Sequence, residues 1–173
     1  GGGGPRAGEP LVEKGRFDYD ADFIMKKDFR PEVWSGQHPH LFQVDAEGRV
    51  HMAEAQLMSL DNVRNPSAQR ATSGGWEGVD ATHVVSRTLG GPGGPENLVR
   101  LPAGVNREEI RGMERMLEGV MREDPGRQLY MRAFAEYDTE RMIPHSITYV
   151  VYEKAADGSQ RVFMEPRTFV GSH

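Results

Sequence analysis

The sequence predicts an α+β domain: an antiparallel sheet with one main helix. Three observations carry this. Residues 107–122 hold a single strongly amphipathic stretch. Short apolar runs of strand character precede and follow it. Turn residues separate those runs. Strands, one helix and more strands, without regular alternation of the two, describe an α+β arrangement rather than a βαβ series.

Taken in order, Leu41 to Val44 and Val50 to Leu57 read as strands around an Asp45-Ala46-Glu47-Gly48 turn, with Val50, Met52 and Ala55 in partial alternation. In the helical stretch, Ile110, Met113, Leu117, Val120 and Met121 recur at helical spacing with charges between them. Asp124-Pro125-Gly126 supplies a breaker and a stop glycine. Leu129 to Phe134 and Ser146 to Glu153 read as further strands. Asp157-Gly158 marks a tight turn into a last strand near Arg161 to Met164. Residues 1–15 open with four glycines and Pro5, and read as a flexible linker or cloning scar; 171–173 read as a tag remnant. That leaves 16–170 as one domain, with its informative core at 61–123.

Composition narrows the chemistry. With no cysteine, a disulfide scaffold, a Cys-based zinc site, an iron–sulfur cluster and a thiol nucleophile are excluded. No apolar run is long enough to span a bilayer. The net charge of -5 argues against a broadly basic nucleic-acid coat, but its distribution matters more. Residues 1–60 carry 7 basic and 10 acidic side chains, whereas residues 61–127 carry 9 and 10, and all nine of those cations are arginine. Arginine suits phosphate because its planar fork donates two parallel hydrogen bonds.

The glycine-rich stretch 61–106 holds the candidate chemistry. His83 ends Asp80-Ala81-Thr82-His83 and begins a short apolar run before Gly90-Gly91. A neutral imidazole there can act as general base, and Asp80 could orient the ring. A hydrogen-bonded structural histidine is the bland alternative. Asn106, with Glu109 three residues on, has the form of a capping box; its amide oxygen is equally a hard ligand for Mg²⁺. Glu114 follows eight residues later, about 12 Å along a regular helix, too far to share an ion directly with Asn106. It could instead hold a metal-bound water or an arginine. Other patterns fall away. His38-Pro39-His40 indicates no third metal ligand. Asp18-Tyr19-Asp20-Ala21-Asp22 lacks the glycine and glutamate of a calcium loop. Gly90-Gly91-Pro92-Gly93-Gly94 lacks the Lys-Ser/Thr of a phosphate loop.

Together, Asp80 to His83, Val84-Val85, Gly90-Gly91, Asn97-Leu98-Val99, Asn106-Arg107 and Glu114 resemble the DNA/RNA non-specific endonucleases of the ββα-metal (His-Me finger) class. The resemblance is strongest to the versions carried as C-terminal toxin modules of bacterial polymorphic toxins. Arg64-Asn65-Pro66-Ser67-Ala68-Gln69-Arg70, the Gly48-Arg49-Val50 hairpin and Tyr137 to Pro144 look like other parts of that group, so the likeness covers roughly residues 40–165. Two positions depart from the pattern: Thr82 stands where the family has glycine, and Arg100-Leu101 where it often has Pro-Gln.

The resemblance implies a ββα-metal nuclease core with His83 as base, Asp80 orienting it, Mg²⁺ or Mn²⁺ on Asn106, and Glu114 supporting the site. Arg64 would neutralise the phosphate, with Arg87, Asn97 and Arg107 binding substrate. It further implies a DNA or RNA substrate, a cognate immunity protein, and secretion or delivery within a larger toxin into a target cell's cytoplasm. The competing reading is a His-Me-like domain that has lost catalysis and only binds nucleic acid or protein.

Overall fold

The computed structural model of the chain describes residues 8–17, 37–58, 81–101, 105, 107–138 and 141–171. Its elements in chain order are β1 (Leu11–Lys14), β2 (His40–Val44), β3 (Val50–Gln56), β4 (Ala81–His83), β5 (Leu98–Arg100), α1 (Arg107–Glu123), β6 (Gln128–Glu136), β7 (Ser146–Lys154) and β8 (Gln160–Val170). Two 3₁₀ turns, Arg87–Leu89 and Pro95–Asn97, lie between β4 and β5. Six strands form one sheet in the order β1-β2-β3-β6-β7-β8, and β4 pairs with β5 separately. Among the described residues, only the β1–β2 pairing is parallel.

The sequence patterns explain these elements. Asp45 closes the β2–β3 hairpin: its Oδ1 accepts the Glu47 and Arg49 amides at 3.0 and 2.9 Å, and Gly48 takes the left-handed φ of 85°. Asp157-Gly158 turns β7 into β8 in the same way, with Gly158 at φ 88°. Helix α1 ends where Asp124 Oδ1 accepts the Gly126 amide at 3.1 Å.

Alternation along the strands sorts the sheet into two faces. Leu129, Met131, Ala133 and Ala135 of β6 and Ile147, Tyr149 and Val151 of β7 join the main core with Ile110, Met113, Leu117 and Met121 of α1. Val84, Val85, Leu89, Val99 and Leu101, from around β4 and β5, belong to the same core. Four alanines (Ala53, Ala55, Ala133, Ala135) share it with long helix methionines, so small residues meet large ones. At about 1.5–3 kcal/mol per large side chain, the four buried residues of α1 outweigh the weak intrinsic stability of a 17-residue helix. The opposite face holds Tyr130, Val150 and Tyr152, and a buried cross-strand pair, Arg132 with Glu54. That pair is 2% and 1% exposed, with contacts of 2.6 and 2.9 Å to one carboxylate oxygen.

Three expectations need correction. Residues 11–14 are not linker: they form β1, paired from Leu11↔Leu41 to Lys14↔Val44. Their glycine-rich approach hid a short half-exposed strand. Gly171, placed by the sequence outside the domain, packs with it: it is buried and donates to the His145 carbonyl at 3.0 Å. The last strand runs to Val170, well past Met164, although it contains Pro166. Proline is tolerated there because β8 is an edge strand whose register with β7 shifts between Tyr149 and Val151, opposite Pro166.

Candidate active site

His83 is the last residue of β4 and is 8% exposed. Its strand pairs antiparallel with β5 as Ala81↔Arg100, Thr82↔Val99 and His83↔Leu98. The 14 residues between His83 and Leu98 must return tightly, and one side chain organises that return. Asn97 is fully buried. Its Oδ1 accepts the Val85 amide at 2.8 Å, and its Nδ2 donates to the carbonyls of Val85 at 2.9 Å and Pro92 at 2.8 Å. The Val84 amide donates to the Asn97 carbonyl at 2.8 Å. Asn97 was expected to bind substrate. The structure corrects this: both amide protons and the oxygen are committed to backbone, so Asn97 positions the segment after His83.

The Gly90-Gly91 pair has a geometric reason. Gly90 adopts φ 97°, and a Cβ on Gly91 would lie 1.9 Å from the Val85 carbonyl oxygen. No side chain fits there without moving the backbone. Ser86 caps the first 3₁₀ turn through the Thr88 amide at 3.3 Å, and the Thr88 hydroxyl donates to Glu118 of α1. The loop after His83 is thereby tied to the helix.

Glu114 is half-buried on α1, and its charge helps raise the pKa of Tyr149 on β7, burial being the larger cause. Its charge thus reaches the sheet at Tyr149. Arg87 is half-buried, with its guanidinium over Gly93. Arg107 is exposed at the first turn of α1. Arg64, Asp80 and Asn106, and with Asn106 the capping box, lie outside the described residues. Among the described residues, no three His, Cys, Asp or Glu side chains converge to hold an ion.

Strand register brings forward a residue that the sequence marked only as a departure from the family pattern. Directly opposed residues share a face of a β-ribbon, and neighbours along a strand alternate. Arg100, opposite Ala81, thus lies on the same face as His83, whereas Thr82 and Val99 lie on the other. Arg100 is half-buried. Burial and the Asp45 charge raise the pKa of Tyr137, and the charges of Arg49 and Arg100 oppose this. The Arg100 charge is thus felt at Tyr137, whose hydroxyl donates to the Val50 carbonyl at 2.9 Å beside the β2–β3 turn. There, Asp45 Oδ2 accepts Arg49 Nε and contacts His51 Nε2, each at 2.7 Å. Burial alone would raise the Asp45 pKa; the His51 and Arg49 hydrogen bonds hold it below the usual carboxylate range. Only pairing across the hairpin reveals Arg100, because 17 residues separate it from His83 in sequence.

His38 and His40 are both buried, but for structural ends. His38 Nδ1 donates to the Glu9 carbonyl at 2.9 Å. His40 stacks on Phe42, with ring centroids 6.1 Å apart. Burial lowers its pKa to about 4, partly offset by the nearby Gly90 backbone.

A family model for the DNA/RNA non-specific endonucleases matches residues 31–155. The match spans most of the chain and contains the whole hairpin, Asn97, Arg100 and α1. The chain belongs to the DNA/RNA non-specific endonuclease family. Solved structures of similar fold include an "extracellular endonuclease" (TM-score 0.60, 16% identity, 86% of this chain and 85% of that one). An "extracellular nuclease" matches with TM-score 0.53 at 16% identity over 78% and 85% of the two chains. The Sda1 nuclease, solved with bound zinc ion, matches with TM-score 0.55 at 10% identity over 82% and 81%. No curated protein sequence matches. For this endonuclease-family chain, these likenesses show the fold and the family match shows nuclease ancestry.

Proposed function

We propose that the protein is a metal-dependent endonuclease that hydrolyses phosphodiester bonds of DNA or RNA with little sequence preference. The carrying observation is the placement of His83 within the family-matched region. It ends β4 on the first hairpin strand, the loop behind it is clamped by Asn97, and the helix bearing Glu114 is tied to that loop through Thr88. A short two-stranded hairpin and one helix sharing a core support the ββα reading made from sequence.

In this reading His83 removes a proton from the attacking water and Asp80 orients the ring. Arg64 and Arg87 lower the negative potential around the scissile phosphate, and we add Arg100 from its place on the His83 face. Glu114 orients polar groups beside the helix. A divalent ion, Mg²⁺ or Mn²⁺, held by Asn106 and waters would supply Lewis-acid stabilisation of charge on the phosphate and leaving oxygen. An amide oxygen with water suits such hard ions, and the zinc-bound neighbour supports a metal in this fold. Acting on the backbone, the site reads phosphates rather than base edges, so either nucleic acid is accepted.

Two neighbours described as extracellular support a secreted enzyme. Resemblance to toxin modules extends this to delivery within a larger antibacterial protein, acting in the target's cytoplasm and neutralised in the producer by an immunity protein.

Plasmid DNA and total RNA, each incubated with and without EDTA, test the reading. Cleavage by the wild type with Mg²⁺ or Mn²⁺, stopped by EDTA and reduced at least about 100-fold in a folded His83→Ala variant, is expected. Cleavage retained by His83→Ala removes the base assignment. No cleavage of either substrate with any divalent metal favours a binding module.

A further inference from the structure

The solvent side of α1 divides its charges unevenly. At about 100° per residue, Arg107, Arg111, Arg115 and Arg122 fall within about 80° of one another around the helix axis. Glu108, Glu109 and Glu123 lie beyond them, farther round the exposed side. The buried face of Ile110, Met113, Leu117 and Met121 lies on the opposite flank. All four arginines are exposed. They are the entire basic complement of the helix.

This stripe borders the candidate site. Glu118 falls within the same arc, half-buried, and accepts from Thr88, five residues beyond His83. One turn earlier, half-buried Glu114 lies close enough for its charge to act on Tyr149 of the sheet. The arginines thus continue outward from the edge of the helix against which the His83 loop is tied. From Arg107 to Arg122 the stripe is about 22 Å long, the axial length of about six base pairs. Arg122 pairs with Glu118 at 3.7 Å, an exposed helix pair of the kind that exchanges cheaply.

We propose that Arg107, Arg111, Arg115 and Arg122 form a rail for the phosphodiester backbone flanking the scissile bond. The occupant is a nucleic-acid strand, chosen by charge complementarity: a chain of net charge -5 concentrates four exposed arginines on one edge of one helix, beside the site. The proposal rests on the nuclease reading and deepens it by naming where the substrate runs. Planar guanidinium groups about 6 Å apart from Arg107 to Arg115, with a gap of about 10 Å before Arg122, offer phosphate oxygens repeated charge-assisted hydrogen bonds without reading bases.

The test is the triple variant Arg111→Gln/Arg115→Gln/Arg122→Gln, alongside the corresponding Lys triple, both checked by thermal melting. Binding of a fluorescein-labelled 20-bp duplex is followed by anisotropy in EDTA from 50 to 200 mM KCl. The Gln triple is expected to raise Kd about tenfold or more at 0.1 M salt, and to flatten the slope of log K against log salt by about 2 to 3. The Lys triple should keep most of the slope. On long DNA the Gln triple should raise KM with little change in kcat. Hydrolysis of a small chromogenic phosphodiester, too short to reach the rail, should stay within about twofold. Wild-type binding and salt slope in the Gln triple overturn the rail, and leave the nuclease reading standing if His83→Ala still abolishes cleavage. Wild-type protein that cuts nothing, yet loses duplex binding with the Gln triple, overturns the nuclease reading and keeps the rail.

Discussion

The six-stranded sheet and the β4–β5 hairpin are held together by different means. The sheet relies on long registers and apolar area: β6 and β7 pair over nine positions, from Gln128↔Lys154 to Glu136↔Ser146, and their inward side chains are buried in the core. The hairpin pairs over three positions, and single residues fix its shape: Asn97 clamping Val85 and Pro92, Gly91 lying under the Val85 carbonyl, and Ser86 capping the turn. Distributed burial tolerates loss of any one contact, whereas a clamp made by one amide does not. The candidate base sits on the part with fewer redundant supports. Its position is therefore sensitive to substitutions that hardly affect the sheet.

His40 sharpens the comparison because it joins the two regions. It belongs to β2 but lies against Gly90 of the loop between β4 and β5, and burial lowers its pKa to about 4 from 6.5. The sign follows directly. Between those values the unfolded chain binds a proton that the folded chain excludes, so stability falls as pH falls. The penalty is absent above pH 6.5 and reaches about 3 kcal/mol near pH 4. Asp45 and Glu153, whose pKa values are held below the carboxylate range, add acid sensitivity mainly below pH 4.5. Urea unfolding at pH 7 and pH 4.5 should show the wild type losing most of this stability and His40→Leu losing much less. Equal losses would place the acid sensitivity elsewhere.

Asn97→Ala is the next largest effect and the most direct break of the comparison. It removes three hydrogen bonds and leaves the Val85 amide and carbonyl poorly satisfied, at about 1–3 kcal/mol. The sheet, with its own core, should retain its far-UV spectrum. Cleavage should fall at least about 100-fold, because small misplacement of a catalytic group costs that much. Amide exchange should quicken in residues 83–98 and stay slow in β6 and β7. Full activity in Asn97→Ala would mean that the hairpin is held by more than this clamp.

The same contrast explains what was legible in the sequence. Helix α1 and strands β2, β3, β6 and β7 were readable because their apolar periods report burial directly. His83 and Asn97 were readable as motif members, but Asn97's role was misassigned, since nothing local tells an amide aimed at backbone from one aimed at substrate. β4 and β5, three residues each, carry too little periodicity to recognise. β1 was hidden by the glycine-rich segment before it, and Pro166 concealed the continuation of β8. The place of Arg100 beside His83 came through strand register alone, a long-range property that no window of sequence contains.

Thr82→Gly has the smallest expected effect, and it bears on the main departure from the family pattern. A side chain immediately before the base looks like an obstruction to substrate. Alternation along β4 places it on the face away from His83 and Arg100, opposite Val99, where it does not meet a phosphate on the His83 side. Replacing threonine with glycine in a strand costs roughly 0.5–1 kcal/mol through added backbone freedom and lost packing. Restoring the family residue should therefore lower the melting temperature slightly and change kcat/KM by less than about threefold. A large gain in cleavage would show instead that Thr82 blocks the site. The hairpin's two faces would then not be separated as its register implies, and the place of Arg100 beside His83 would fall with that separation.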